Sequence, residues 1–545
     1  MRIHMGLKEL KEKVAVLAFG ILLCLCLPFS PARASEDRVK FGLKAKGLEP
    51  GIIEVNLSFT LNAGQKAVIK PSWWGEASAG EDGAPTYEPL VQGDPGFRME
   101  ALDGDVPGWS LIALSSGRLS MRYRVAFPRR NAPEGAGTAP AGDFAPRSLF
   151  NHDLTVIRGY DAFLCPRWPV DMSYIGSGYE VSFDLESGDR LLVPWASTGG
   201  SSYHAGSAEE LKRNFIAWGD IETVKVSEKE PRIILGFPSR FRSTTESQRS
   251  EYQRALQRLF METARSLGKR PSLTKLTVLA CAAPGLGYRK PSCEAMLDSL
   301  MLIHGGGRLT GSAAAAAARG ILGLWNGYSM VAARKGAAEW FQQGLPWFYG
   351  YRLAANAGLQ STADAYTGFA GVYADYLSLN GSVSEPLSVA EKDPGYPPLL
   401  RAKGAALISA IAWKLDRDSK GTRDIEWYLG EIAGRFNAFK GRSYSLDDLK
   451  EPLETATGKS WDRFFTKFVE KADPILAPDF SATDLFGKSE SVSGTGGGTS
   501  SRRNWLFLAA AVLFILSIPL IFSAYVRRSV KLDVSMPKIL PDDEE

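Results

Sequence analysis

Histidine is the side chain that most often binds catalytic zinc or moves protons near neutral pH. This chain of 545 residues has four, His4, His152, His204 and His304. No two stand within five residues of each other. A helix-borne H-E-x-x-H site needs two histidines one turn apart with a glutamate between them, so no such site exists anywhere in the chain. His304 precedes Gly305, Gly306 and Gly307 and reads as a surface or loop histidine, with a groove-lining one as the alternative; His152 before Asp153 reads as a turn, and His204 lies in a Gly/Ser-rich loop. Cysteine chemistry is equally sparse. Cys165, Cys281 and Cys293 follow the first 34 residues, and no C-x-x-C occurs. Cys281 and Cys293 are close enough in sequence to pair, although spacing alone does not prove a bond. There is no G-x-S-x-G elbow for a serine nucleophile. The Gly-Lys-Ser strings at Gly458 and Gly487 lack the upstream glycine of a phosphate-binding loop.

Two segments nevertheless carry a pattern. One runs from Ala313 to Ala318 and on through Arg319, Gly320, Ile321, Leu322, Gly323, Leu324, Trp325 and Asn326. The other is Trp340, Phe341, Gln342, Gln343, Gly344, Leu345, Pro346, Trp347, Phe348 and Tyr349. Together they resemble the core of the glycyl aminopeptidase family, a group of thermolysin-like gluzincins. That family has H-E-x-x-H-x-W-N on one helix and W-F-x-E-G on the next. In such a pattern two histidines and the later glutamate bind zinc, and the glutamate of the first helix is the general base. The resemblance puts Arg319 at the first histidine, Gly320 at the glutamate, Gly323 at the second histidine and Gln343 at the third ligand. Downstream, Arg401, Ala402, Lys403 and Gly404 resemble the family's Y-x-K-G, with Arg401 at the tyrosine that stabilises the oxyanion. An arginine is a permanent cation, glycine offers no donor and a neutral amide is a poor zinc ligand. The resemblance therefore implies a retained scaffold without metal or other cofactor. Trp325, Asn326, Trp340, Trp347 and Tyr349 would line a cleft or pack the core. The PDZ-type module that often follows in this family is not apparent.

The elements that would position these residues are legible from periodicity. Val55, Leu57, Phe59 and Leu61 alternate with polar residues, as do Leu119 to Phe127 and Tyr179 to Leu185. Residues 35–231 thus read as an antiparallel β-sandwich. After that come a strand over 233–237, a helix over 245–267 and a strand over 275–281, and helices are expected from there to about residue 471. Leu407, Ile408, Ile411, Ala412 and Leu415 make one apolar helix face. Ser445 with Asp448 reads as a helix start. The run of alanines favours helix and lets neighbouring helices approach closely. The expected class is α+β, with a gluzincin-like α-rich domain over 232–484.

The two ends set the expected location. Residues 1–34 read as a signal peptide: a basic start, an apolar run from Val14 to Leu27, and Ala32-Arg33-Ala34 before the cut. An uncleaved anchor is the competing reading. A Gly/Ser/Thr-rich tether is expected over 485–504, and the apolar stretch 505–526 is long enough to span a bilayer. The tail 527–545 would be cytoplasmic and the bulk outside, a single-pass membrane protein. A net charge of +4 gives no reason to expect nucleic acid. Expected partners are the membrane and a protein or peptide held by the old cleft or by a new surface. The rival functions are an active peptidase with a non-standard metal site drawn from scattered residues, and a purely structural envelope protein.

Overall fold

A computed structural model describes residues 38–475 and 485–486, except 72–84, 91–95, 103–107, 128–148, 152, 168–177, 239–244, 269–272, 283–290, 305–307, 334–337, 383–384 and 393–396. The expected signal peptide, membrane segment and tail lie outside the described residues. So does the expected tether, apart from Leu485 and Phe486. Those two are buried, and the Phe486 ring packs on Phe348 and Phe369. Among the described residues no helix is long and apolar enough to cross a membrane.

The alternating segments are strands. Ile52–Leu61 pairs antiparallel with Gly117–Ala126 over ten residues, with Val55 opposite Tyr123 and Phe59 opposite Leu119. Period-two alternation puts their apolar side chains on one face, where they are buried. These two strands sit in a seven-stranded sheet. The expectation of a purely antiparallel sandwich is corrected: Val39–Lys44 runs parallel to Tyr179–Asp184, and two four-stranded sheets accompany the large one. Alternation reports which face is wet, not the direction of the neighbouring strand, so sequence could not separate these cases.

One four-stranded sheet joins the β-rich part to the rest. Its strands are Arg190–Leu192, Phe215–Gly219, Leu154–Arg158 and Leu149–Asn151. Phe215–Gly219 is buried along its whole length. Ile157, Ile216 and Trp218 face the sandwich core. Val156, Phe215 and Ala217 face a second core, shared with Leu279, Cys281, Met301 and Ile303.

Those last residues belong to a five-stranded sheet ordered Ile221–Ser227, Arg232–Pro238, Lys275–Ala282, Ser299–His304 and Ser292–Ala295. The middle three strands are parallel and both edges antiparallel. The sheet thus takes its first strand from before residue 232. It also holds two strands beyond Cys281, where helices were expected to dominate. Ser292–Ala295 is a four-residue edge strand, too short to announce itself by periodicity.

Helices cover the other side: α1 (Glu246–Leu267), α2 (Gly311–Gly323), α3 (Glu339–Asn356), α4 (Thr362–Ser382), α5 (Pro397–Asp418), α6 (Ile425–Arg435) and α7 (Leu446–Thr457). Capping boxes start two of them, Thr245 with Gln248 on α1 and Ser445 with Asp448 on α7. Helix α2 runs through the core with Ala313 to Ala318 all buried. A helix apolar on every side belongs in an interior, and methyl side chains let the sheet and α3 come close.

Candidate functional site

Helix α2 lies against the edge strand Ser292–Ala295 and against α3. An ion pair helps fix that strand. The Arg158 guanidinium reaches Glu294 at 2.6 Å, tying the edge to the β-rich part. Burial raises the Glu294 pKa, and Arg158 opposes the rise.

The strand fills the space that side chains on α2 would need. A β-carbon on Gly320 would stand 2.1 Å from Cys293 Sγ, and one on Gly323 would stand 2.9 Å from Ala295 Cβ. Contacts under 3 Å do not occur without movement. The two glycines are therefore what allow α2 to rest on the edge strand. Arg319 points elsewhere. Its stem lies on Gly350 of α3, where a β-carbon would come within 2.5 Å of Arg319 Cγ. Its guanidinium carbon sits 4.4 Å from the centre of the Trp347 ring and 5.7 Å from that of Tyr351. Arg401, in the first turns of α5, reaches the same Trp347 ring at 5.8 Å. Gln343, Trp347 and Tyr351 recur every four residues and share one face of α3. All of these are half-buried.

These side chains do not fit a zinc ion. The position facing Trp347 holds a cation, the two glycine positions have no room for a donor, and Gln343 is neutral. Among the described residues, no group of three His, Cys, Asp or Glu is placed to hold a metal. His304 is not a loop residue. It ends a buried strand, stacks on Tyr252 and lies 3.2 Å from its hydroxyl, and burial pulls its pKa down to about 4. His204 lies in a different sheet, on the strand Ser202–Ala205. Burial and then Arg38 lower its pKa.

The possible disulfide is also corrected. Cys281 pairs with Ile303 and Cys293 with Leu302, so the strand Ser299–His304 lies between the cysteines. Two strand spacings, about 9.6 Å, exceed disulfide reach. Adjacent partners on that strand also send the two thiols to opposite faces. Both thiols, and Cys165, are free, and burial pushes each pKa up to about 12.

Of the five aromatic and amide positions flagged by sequence, Trp347 reaches the half-buried surface. Trp325, Trp340 and Tyr349 are interior. Trp325 donates to the Gly268 carbonyl, and the Tyr349 hydroxyl meets Ser266 and Glu426. Asn326 has a backbone task. Pro346 lies inside α3 and has no N–H for the Gln342 carbonyl one turn earlier. The Asn326 side-chain amide donates to that carbonyl instead, at 2.5 Å. Lys403 and Gly404 serve packing as well. Gly404 meets Gly344 where α5 crosses α3, so closely that a β-carbon on Gly344 would lie 2.3 Å from the Gly404 backbone. Lys403 is buried, its Nζ 3.3 Å from the Glu385 carbonyl, and burial draws its pKa down to about 8. Tyr351 was missed in the sequence. Its spacing of four from Trp347 was the signal that could have found it. The Cys293 contact had no local signal.

No protein-family model matches the sequence, and no curated protein sequence does. Solved structures do match in shape. An aminopeptidase N family protein from Idiomarina loihiensis superposes with a TM-score of 0.59 at 11% identity, covering 80% of this chain and 76% of that one. An M1 zinc metallopeptidase from Deinococcus radiodurans gives 0.47 at 13% identity, over 81% and 94%. The first of these shows the fold: an N-terminal multi-sheet part and a helical C-terminal part, arranged as in an aminopeptidase N family protein.

Proposed function

We propose that this chain is an exported, membrane-anchored pseudopeptidase, a glycyl aminopeptidase-like scaffold that holds a peptide or protein segment and performs no zinc chemistry. The observation that carries the reading is the seating of Cys293 where a side chain on Gly320 would have to go. Loss of a catalyst by one substitution leaves a hole; here the strand and the helix have closed on each other. The aminopeptidase N-like fold supplies the motive for a peptide as ligand. The half-buried face of Arg319, Gln343, Trp347 and Tyr351 supplies a surface for one. The anchoring and export rest on the terminal segments of the sequence.

The test is zinc content by elemental analysis of the purified full-length chain, with peptide hydrolysis assayed on the same sample. Zinc well below one per chain and no chelator-sensitive cleavage are expected. Near one zinc per chain, with cleavage lost on chelation, would overturn the reading in favour of a non-standard metal site.

A further inference from the structure

Two carboxylates meet at the start of α3. Glu391 follows the short helix Leu387–Ala390, so a distant segment brings it to Glu339. It accepts the Glu339 and Trp340 N–H groups at 2.8 and 3.3 Å, both through Oε1. Its Oε2 is left over. Burial raises the pKa of both carboxyls, and Glu339 adds to the rise at Glu391. Lys392 is the one base acting on Glu391, and its influence is the smallest there. Among the described residues neither carboxylate makes an ion pair.

A third oxygen lies close by. Tyr444 precedes the capping residue of α7 and is fully buried. Its N–H donates to the Val331 carbonyl and its carbonyl accepts from Ala333. The Ala332 N–H between them donates to the Gln342 side chain of α3. The Tyr444 ring packs edge-on against Phe341 of α3, 5.7 Å between centres. These contacts fix the ring beside the first turn of α3. Among the described residues its hydroxyl has no hydrogen-bond partner. The charges that reach the hydroxyl are those of Glu391 and Glu339. A buried hydroxyl left unsatisfied costs stability, and so do neighbouring carboxylates without a cation. A cation that takes oxygen donors relieves both at once.

We propose that Glu339, Glu391 and Tyr444 form a binding site for a hard divalent cation, calcium above all, that fastens the start of α3 to the two distant segments. The donors are all oxygens, which select hard cations over zinc or copper. Two carboxylates match a charge of two. Donors from three separate segments suit calcium, which tolerates irregular coordination, better than magnesium, which demands an octahedron. The site uses none of the positions matched to the zinc motif and does not rest on the peptide-holding reading. Zinc content tests that reading alone, so the two can fail separately.

The full-length chain is stripped with chelator, then titrated with calcium chloride in a calorimeter and melted with and without it. One calcium per chain is expected, with a melting temperature raised by a few degrees at saturation. Magnesium chloride should bind at least about tenfold more weakly. Glu339→Gln alters an exposed residue and should leave the chain folded, which circular dichroism checks. It is expected to weaken calcium binding at least about tenfold, because ligand charge sets affinity. Glu391→Gln should do the same, and Tyr444→Phe should cause a smaller loss. Absence of binding heat and of any melting shift overturns the site. So does calcium binding that is unchanged in Glu339→Gln, which would put the ion elsewhere. Sodium chloride of equal ionic strength giving the same melting shift would reduce the effect to screening and overturn it too. An equal shift from methylammonium chloride would assign the carboxylates to an organic ammonium and overturn the divalent cation.

Discussion

Cys293 Sγ and Gly320 Cα are packed so that a β-carbon on Gly320 would fall 2.1 Å from the sulfur. Glycine inside a helix ordinarily costs about 1 kcal/mol relative to alanine. At this position the sign reverses. Gly320→Ala is expected to destabilise the chain by about 1–3 kcal/mol through overpacking. In a Cys293→Gly background the same change should become nearly neutral, because the obstructing sulfur is gone. A double-mutant cycle by denaturant unfolding measures this. Additive effects would show that the contact does not govern Gly320.

The Asn326 amide and Pro346 form a second coupled pair. Asn326→Ala removes the donor to the Gln342 carbonyl and should cost about 1–3 kcal/mol. In a Pro346→Ala background a backbone N–H returns to serve that carbonyl, and the cost of Asn326→Ala should shrink. An unchanged cost in the two backgrounds would mean the amide acts elsewhere.

Gly404→Ala should be among the most harmful single-methyl changes in the chain. The new carbon would lie 2.4 Å from the Trp340 carbonyl oxygen, forcing α3 and α5 apart. Overpacking of this kind costs about 1–3 kcal/mol or more. Gly371 of α4 is the control, since nothing lies within 4 Å of its missing β-carbon. Gly371→Ala should stabilise by up to about 1 kcal/mol. Equal melting temperatures for the two variants would refute the crossing as a constraint.

Glu391 gives a pH dependence. It accepts the N–H groups of Glu339 at 2.8 Å and Trp340 at 3.3 Å, and so caps α3 from a distant segment. Burial raises its pKa from 4.5 to about 7; the two N–H groups and Lys392 oppose the rise, and Glu339 adds to it. A carboxyl that holds its proton more tightly when folded favours the folded state at low pH. Its contribution is complete below pH 4.5 and is lost as pH rises through 7. Thermal unfolding should therefore show stability falling across that window. In Glu391→Gln, which keeps an acceptor oxygen, the slope should flatten. A slope unchanged in the variant would assign the dependence to other groups.

The sequence by itself determined what local spacing can carry. Alternation at Val55 to Leu61 marked a strand, Ser445 with Asp448 marked a helix start, and the alanine run marked a helix. Counting four histidines was enough to exclude an H-E-x-x-H helix. Each of these depends on residues a few positions apart. What lies beside a given residue depends on chain segments far apart, and that only the tertiary structure decided. Cys281 and Cys293 are twelve positions apart, yet a later strand enters between them and turns their thiols to opposite faces. Trp340 and Trp347 sit on one helix, but Trp340 faces the core and Trp347 faces the two arginines. Cys293 and Gly320 meet because a four-residue edge strand, invisible to periodicity, is laid along α2. Local propensity names the element; only the packed arrangement of distant elements names its neighbour.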